Sequence, residues 1–119
     1  MSLDKKEFTA FFKTFFVIIG PEGPSTNENE FLIDFVNQYV STYYTSIHDI
    51  NNAIIDMEYF DMVAILQGFN EVEKDVVKIY WAKLLKCNGR TIPSDDKINS
   101  MVTIAMDSGI DISNIGKYF

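Results

Sequence analysis

A chain of 119 residues that is 47% hydrophobic and 14% aromatic can bury about two-thirds of its surface in one core, which excludes a disordered tail. A net charge of −7 opposes general binding to phosphate backbones, and a single cysteine excludes an internal disulfide or a multi-cysteine zinc site. No apolar run approaches the roughly 20 residues that span a bilayer, and the N-terminal stretch lacks the apolar segment of a signal peptide. The expected protein is therefore a single cytoplasmic domain with no membrane insertion and no nucleic-acid partner.

Turn signals fall every fifteen to twenty residues. Asp4 and Glu7 form a capping box, in which each side chain serves the other residue's amide at a helix start. The helix they open should run to Ile19 and stop at Gly20-Pro21, because a proline ring disfavours helix in the residue before it. Phe8, Phe11, Phe12, Phe15 and Phe16 surround more than half of this helix, as expected of a central element. Asn27 and Glu30 repeat the capping pattern for a second helix reaching about Ser46. Its apolar stripe is Leu32, Phe35, Val36, Tyr39 and Tyr43, opposite Glu30, Asp34, Asn37 and Ser41. The tyrosine-rich end of this segment could instead pair as a strand, but the stripe fits a period of 3.6 residues better.

Residues 49–52 should begin a third helix that closes near Gly68. Asn70 and Glu73 cap a fourth, with Val76, Val77, Tyr80, Trp81 and Leu84 inward, which ends at Asn88-Gly89. Pro93 or Ser94 begins a fifth, running to about Asp107 and closed by Gly109. A last short turn should pack Ile112, Ile115 and Phe119 back onto the rest. The predicted fold is all-α, a bundle of five helices plus a C-terminal turn.

Charge is unevenly distributed. Residues 14–73 contain no Lys or Arg but carry ten acids: Glu22, Glu28, Glu30, Asp34, Asp49, Asp56, Glu58, Asp61, Glu71 and Glu73. Residues 74–97 reverse the sign, with six basic residues against Asp75, Asp95 and Asp96. Such a field attracts a basic partner or a divalent cation, although most charge runs are simply a solvated face.

The first and fourth helices also share a pattern. Asn70 and Glu73 stand 66 residues after Asp4 and Glu7. The same shift carries Phe11, Phe15 and Ile18 onto Val77, Trp81 and Leu84, and Gly23 onto Gly89. Continued without a gap, it carries Leu32, Phe35 and Val36 onto Ile98, Met101 and Val102. Mismatches occur, since Phe8 meets Lys74 and Phe12 meets Lys78. The expectation is a pair of pseudo-repeated helical hairpins packed on each other.

The second of these hairpins resembles the TerB-like group, which comprises tellurite-resistance TerB and the N-terminal regions of certain DnaJ-type co-chaperones. The resemblance rests on Cys87-Asn88-Gly89 for the family's Asp-Gly turn, on residues 92–96 (IPSDD) for its Ile-Ser-x-x-Glu helix start, and on Gly109-Ile110 for its closing pair. Glu22-Gly23 and Glu30 take the same places in the first hairpin. Asn88 departs from the family by replacing a carboxylate. The resemblance implies a helical fold, a stress-related context, and loop acids that gather to hold a divalent cation. The residues in question are Glu28, Glu30, Asp34, Asp95 and Asp96, and calcium or magnesium is the matching class because hard cations take oxygen ligands. The competing role for Glu30 and Asp96 is to complement the positive ends of helices.

Catalysis finds less support. His48 is the only histidine, so no two-histidine metal centre exists, and its position beside Asp49 fits a capping or surface role. Cys87 follows an apolar helix end near Trp81 and Leu84, where a buried thiol is the natural reading. There is no phosphate-binding loop. If Met57, Tyr59, Phe60 and Met62 are not all covered, the remaining apolar patch would mark a homodimer or a partner groove. The function expected is a non-enzymatic interaction module whose acidic face recruits a protein partner or cation. The rival is a small metal-dependent enzyme or hydrolase accessory using clustered carboxylates.

Overall fold

Asp4 opens α1 (Lys5–Ile19) as its spacing to Glu7 requires: the Asp4 carboxylate accepts the Glu7 N–H at 2.8 Å, and the Glu7 carboxylate accepts the Asp4 N–H at 3.0 Å. The remaining helices of the computed structural model are α2 (Thr26–Tyr43), α3 (Ile47–Asp56), α4 (Tyr59–Gln67), α5 (Glu71–Lys86) and α6 (Asp95–Ser108), followed by a 3₁₀ turn at Ile115–Tyr118. The structure describes residues 3–44, 46–89 and 94–118, and the side chains of residues 39–42 and 47 also fall outside the description. Expectations placed on the side chains of Tyr39 and Ser41, and on Ile92, Pro93 and Phe119, therefore lie outside the described residues. Among the described residues the fold is all-helical, and the tyrosine-rich end of α2 is helix.

α1 is the central element and touches every other α-helix. Phe8, Phe11, Phe12 and Phe15 are all buried, and Phe35 of α2 sits among them with ring centroids 4.9 to 5.7 Å from each. Such offset and edge-to-face contacts add to plain area burial. Trp81 of α5, fully buried, donates its indole N–H to Thr14 Oγ1 of α1 at 2.9 Å, and Thr14 in turn donates to the Phe11 carbonyl at 2.6 Å. The hydrogen-bonding capacity of a large buried side chain is thus met inside the core.

Among the described residues there are six α-helices where the sequence reading gave five. The third expected helix is interrupted at Met57 and Glu58, both in extended conformation (ψ 119° and 152°). The reason lies in the phase of the apolar residues. Ile50, Ile54 and Met57 share one face, and a continuous helix would turn Met62, Val63 and Leu66 to roughly the opposite side. Breaking the helix resets that phase, so both groups face α1; Ile50, Ile54, Met62, Val63 and Leu66 are all buried.

Helix boundaries were otherwise legible, with local corrections. α2 begins at Thr26 and not after Asn27, ends at Tyr43 rather than near Ser46, and α3 is capped by Ser46, whose hydroxyl accepts the Asp49 N–H at 3.2 Å. The Asn70–Glu73 capping box forms as predicted. Gly109 closes α6 in the left-handed region (φ +70°), where a glycine avoids the Cβ clash, and the Ile110 N–H bonds the Ala105 carbonyl at 2.9 Å. The final turn brings Ile112 and Ile115 against the core.

One buried polar atom in α6 finds no partner among the described residues, the hydroxyl of Ser108. Removing an unsatisfied buried group relieves its desolvation cost. Ser108→Ala is therefore expected to raise stability by about 1 kcal/mol, a rise of roughly 4 °C in Tm by scanning calorimetry.

Candidate functional site

The two glycine turns that link α1 to α2 and α5 to α6 share a three-residue hydrogen-bonded turn but begin differently, since Gly20 has left α1 at φ +92° whereas Lys86 is the last residue of α5. The Gly23 N–H bonds the Gly20 carbonyl and the Gly89 N–H bonds the Lys86 carbonyl, each three residues back. Both glycines take positive φ, +82° and +73°. A spacing of 66 residues relates these two turn hydrogen bonds. It does not hold beyond them: α2 is capped by Ser25 and α6 follows Ser94, a spacing longer by three residues. Matched by their starts, Leu32, Phe35 and Val36 correspond to Met101, Ile104 and Ala105, all six buried.

Around the turns, Ser25 and Glu28 make a capping box that the sequence reading assigned to Asn27 and Glu30. Ser25 Oγ accepts the Glu28 N–H at 3.2 Å, and Glu28 Oε1 accepts the Ser25 N–H at 2.9 Å. Ser25 Oγ also donates to Asn88 Oδ1 at 2.8 Å, tying the start of α2 to the second turn. Glu28 Oε2 accepts a hydrogen bond from Lys97 Nζ of α6 in an ion pair. With both oxygens engaged, Glu28 is only 2% exposed. Burial pushes its carboxyl up. The Lys97 hydrogen bond, the Ser25 N–H and the ammonium charge outweigh that, and the pKa falls below the ordinary 4.5.

A cleft of about 640 Å³ lies beside this junction, where Gly20, Pro21 and Glu22 of the first turn face Ser94, Asp96 and Lys97 at the start of α6. The five residues expected to hold a cation are dispersed in role. Glu28 is inside the capping box and ion pair, Glu30 and Asp34 are exposed on α2, and Asp95 and Asp96 are exposed in the first turn of α6. Of these only Asp96 lines the cleft, where the other acid is Glu22 of the first turn. Among the described residues no three or more His, Cys, Asp or Glu side chains gather closely enough to hold a metal ion.

Cys87, His48 and Tyr59, which have nucleophilic or acid–base character, lie outside the lining of this cleft. Cys87 is half-buried, and burial together with the Glu28 charge pushes its thiol up, away from the reactive thiolate. His48 is exposed in the first turn of α3. Tyr59 donates to Asp107 Oδ2 at 2.6 Å, and burial plus that carboxylate push its phenol up to about 12. Of the apolar group read near the third helix, Met62 is buried, Met57 and Tyr59 are half-buried, and only Phe60 stands out, 77% exposed.

Sequence reasoning missed Ser25, Asn88 and Lys97. The Ser-x-x-Glu spacing of Ser25 and Glu28 was an available signal. Compared with known proteins, the chain matches no family model, no curated protein and no solved structure. No helix among the described residues is long and apolar enough to cross a membrane.

Proposed function

We propose that this chain is a non-enzymatic, TerB-like interaction module that presents an acidic surface to a basic protein partner in a cytoplasmic, stress-related setting. One observation carries the reading. Of the ten acids in residues 14–73, eight are exposed, Glu73 is half-buried, and the one buried member, Glu28, is neutralised by Lys97. The field of this segment is therefore directed at solvent, where it would steer a cationic partner. The hydrogen-bonded turns at Gly23 and Gly89, 66 residues apart, support a likeness between the two hairpins, the second of which carries the TerB-like resemblance.

A second reading, a divalent cation, is favoured by Glu22 and Asp96 lining one cleft and disfavoured by the Lys97 ammonium beside them. Calorimetry separates the two. Oligolysine is expected to bind with an affinity that falls steeply with salt and weakens on combining Glu30→Gln with Asp34→Asn. Heat on titration with calcium, magnesium or manganese that disappears in Asp96→Asn would instead favour the cation. Absence of heat with oligolysine at low salt would remove the acidic-face reading.

A further inference from the structure

α2 and α3 both pack on α1, but they leave a groove between them. Its floor is formed by the rings of Phe12 and Phe16 of α1, and one wall by Leu32, Ile33 and Val36 of α2. Asn29 and Asn51 supply polar groups at its edges. The groove is apolar where a monomer would ordinarily be covered, and Ile33 remains 45% exposed. Ile55, one turn beyond Asn51 on the same face of α3, is 77% exposed. A volume of about 180 Å³ admits a few apolar side chains of a docked segment.

Charge selects the occupant. Glu30 and Asp34 are exposed on α2, beyond the wall that Asn29 and Ile33 contribute. Residues 14–73, which supply every lining residue but Phe12, contain no Lys or Arg. The nearest basic residue along α1, Lys13, donates to the Ile54 carbonyl at 2.7 Å near the end of α3 and is engaged there. A groove of this composition rejects an acidic segment and suits apolar anchors flanked by cations, the pattern of an amphipathic helix laid into a groove.

We propose that the α2–α3 groove docks a short basic amphipathic segment of a partner protein, its apolar side chains over Phe12 and Phe16 and its Lys or Arg residues toward Glu30 and Asp34. The proposal rests on the acidic-face reading and adds to it a place and an apolar anchor.

The test uses two labelled probes on the full chain, a Leu/Lys amphipathic peptide and an oligolysine of equal charge, read by fluorescence anisotropy and by amide chemical shifts. The Leu/Lys peptide should bind about tenfold more tightly than oligolysine and shift the side-chain amides of Asn29 and Asn51. Ile33→Asp places a charge in the groove at an already half-open site, and should lower affinity for the Leu/Lys peptide about tenfold without weakening oligolysine binding or changing the circular dichroism spectrum. Equal binding of both probes, or indifference to Ile33→Asp, would overturn the groove while leaving the acidic face in place. Binding of neither probe would remove both. Light scattering that shows a dimer abolished by Ile33→Asp would make a second copy of the chain the occupant and overturn the partner proposed.

Discussion

Lys97→Met is expected to destabilise the protein by about 3 kcal/mol, lowering Tm by roughly 10 °C, although the lysine lies at the surface end of α6. The effect comes from Glu28, which is left 2% exposed with a carboxylate that has lost its counter-charge. The estimate lies at the low end for a broken buried pair because the Ser25 N–H still serves one oxygen. Its signature is the sign of the pH dependence. In the wild type the folded pKa of Glu28 is below 4.5, so its contribution is fully present above that value and is lost as pH falls through the folded value. In Lys97→Met, burial acts without the ammonium and raises the folded pKa, so acidification should recover stability relative to wild type. Chemical denaturation at pH 7 and at pH 4 reads the crossover. A variant whose deficit is the same at both values would show that the loss does not come from the unpaired Glu28 carboxylate. Adding Glu28→Gln to Lys97→Met should restore part of the loss, since an amide costs less to bury than an unpaired charge.

Trp81→Ala should be the most damaging single change, at about 3–5 kcal/mol, because it removes a fully buried indole at the contact of α5 with α1. That is a large share of the stability of an ordinary domain, and a loss of near-ultraviolet circular dichroism should accompany a Tm fall of more than about 12 °C. Thr14→Val separates packing from hydrogen bonding. It keeps the shape but leaves the Trp81 N–H without its acceptor, and should cost about 1–3 kcal/mol. If Thr14→Val were neutral, the bond between α1 and α5 would be incidental to the core.

These two sites show what could and could not be read in advance. Asp4 with Glu7 and Asn70 with Glu73 were legible because a capping box is a local pattern that depends on four residues. The burial of the α1 phenylalanines was legible from their number, which no single solvent-facing stripe could accommodate. The break at Met57 was written in the phase of Ile50, Ile54 and Met57 against Met62, Val63 and Leu66, but the run is apolar enough to pass for one helix. At the start of α2, Asn27 with Glu30 imitated the box that Ser25 and Glu28 form, and the two patterns differ only in which serine or asparagine leaves the helix. The partner of Glu28 was not legible at all, since Lys97 lies 69 residues away and only the packing of α2 and α6 on α1 brings their starts together.

The residue Glu28 is the third of α2 and Lys97 the third of α6, yet one is acidic and the other basic. Where two similar helix starts approach, identical side chains would set like charges against each other, so this contact works as a lock and key that accepts only unlike halves. A chain assembled from two copies of the first half would bring carboxylate to carboxylate, and one assembled from two copies of the second would bring ammonium to ammonium. The unlike charges at this one position therefore favour the start of α2 against the start of α6 over either against its own kind.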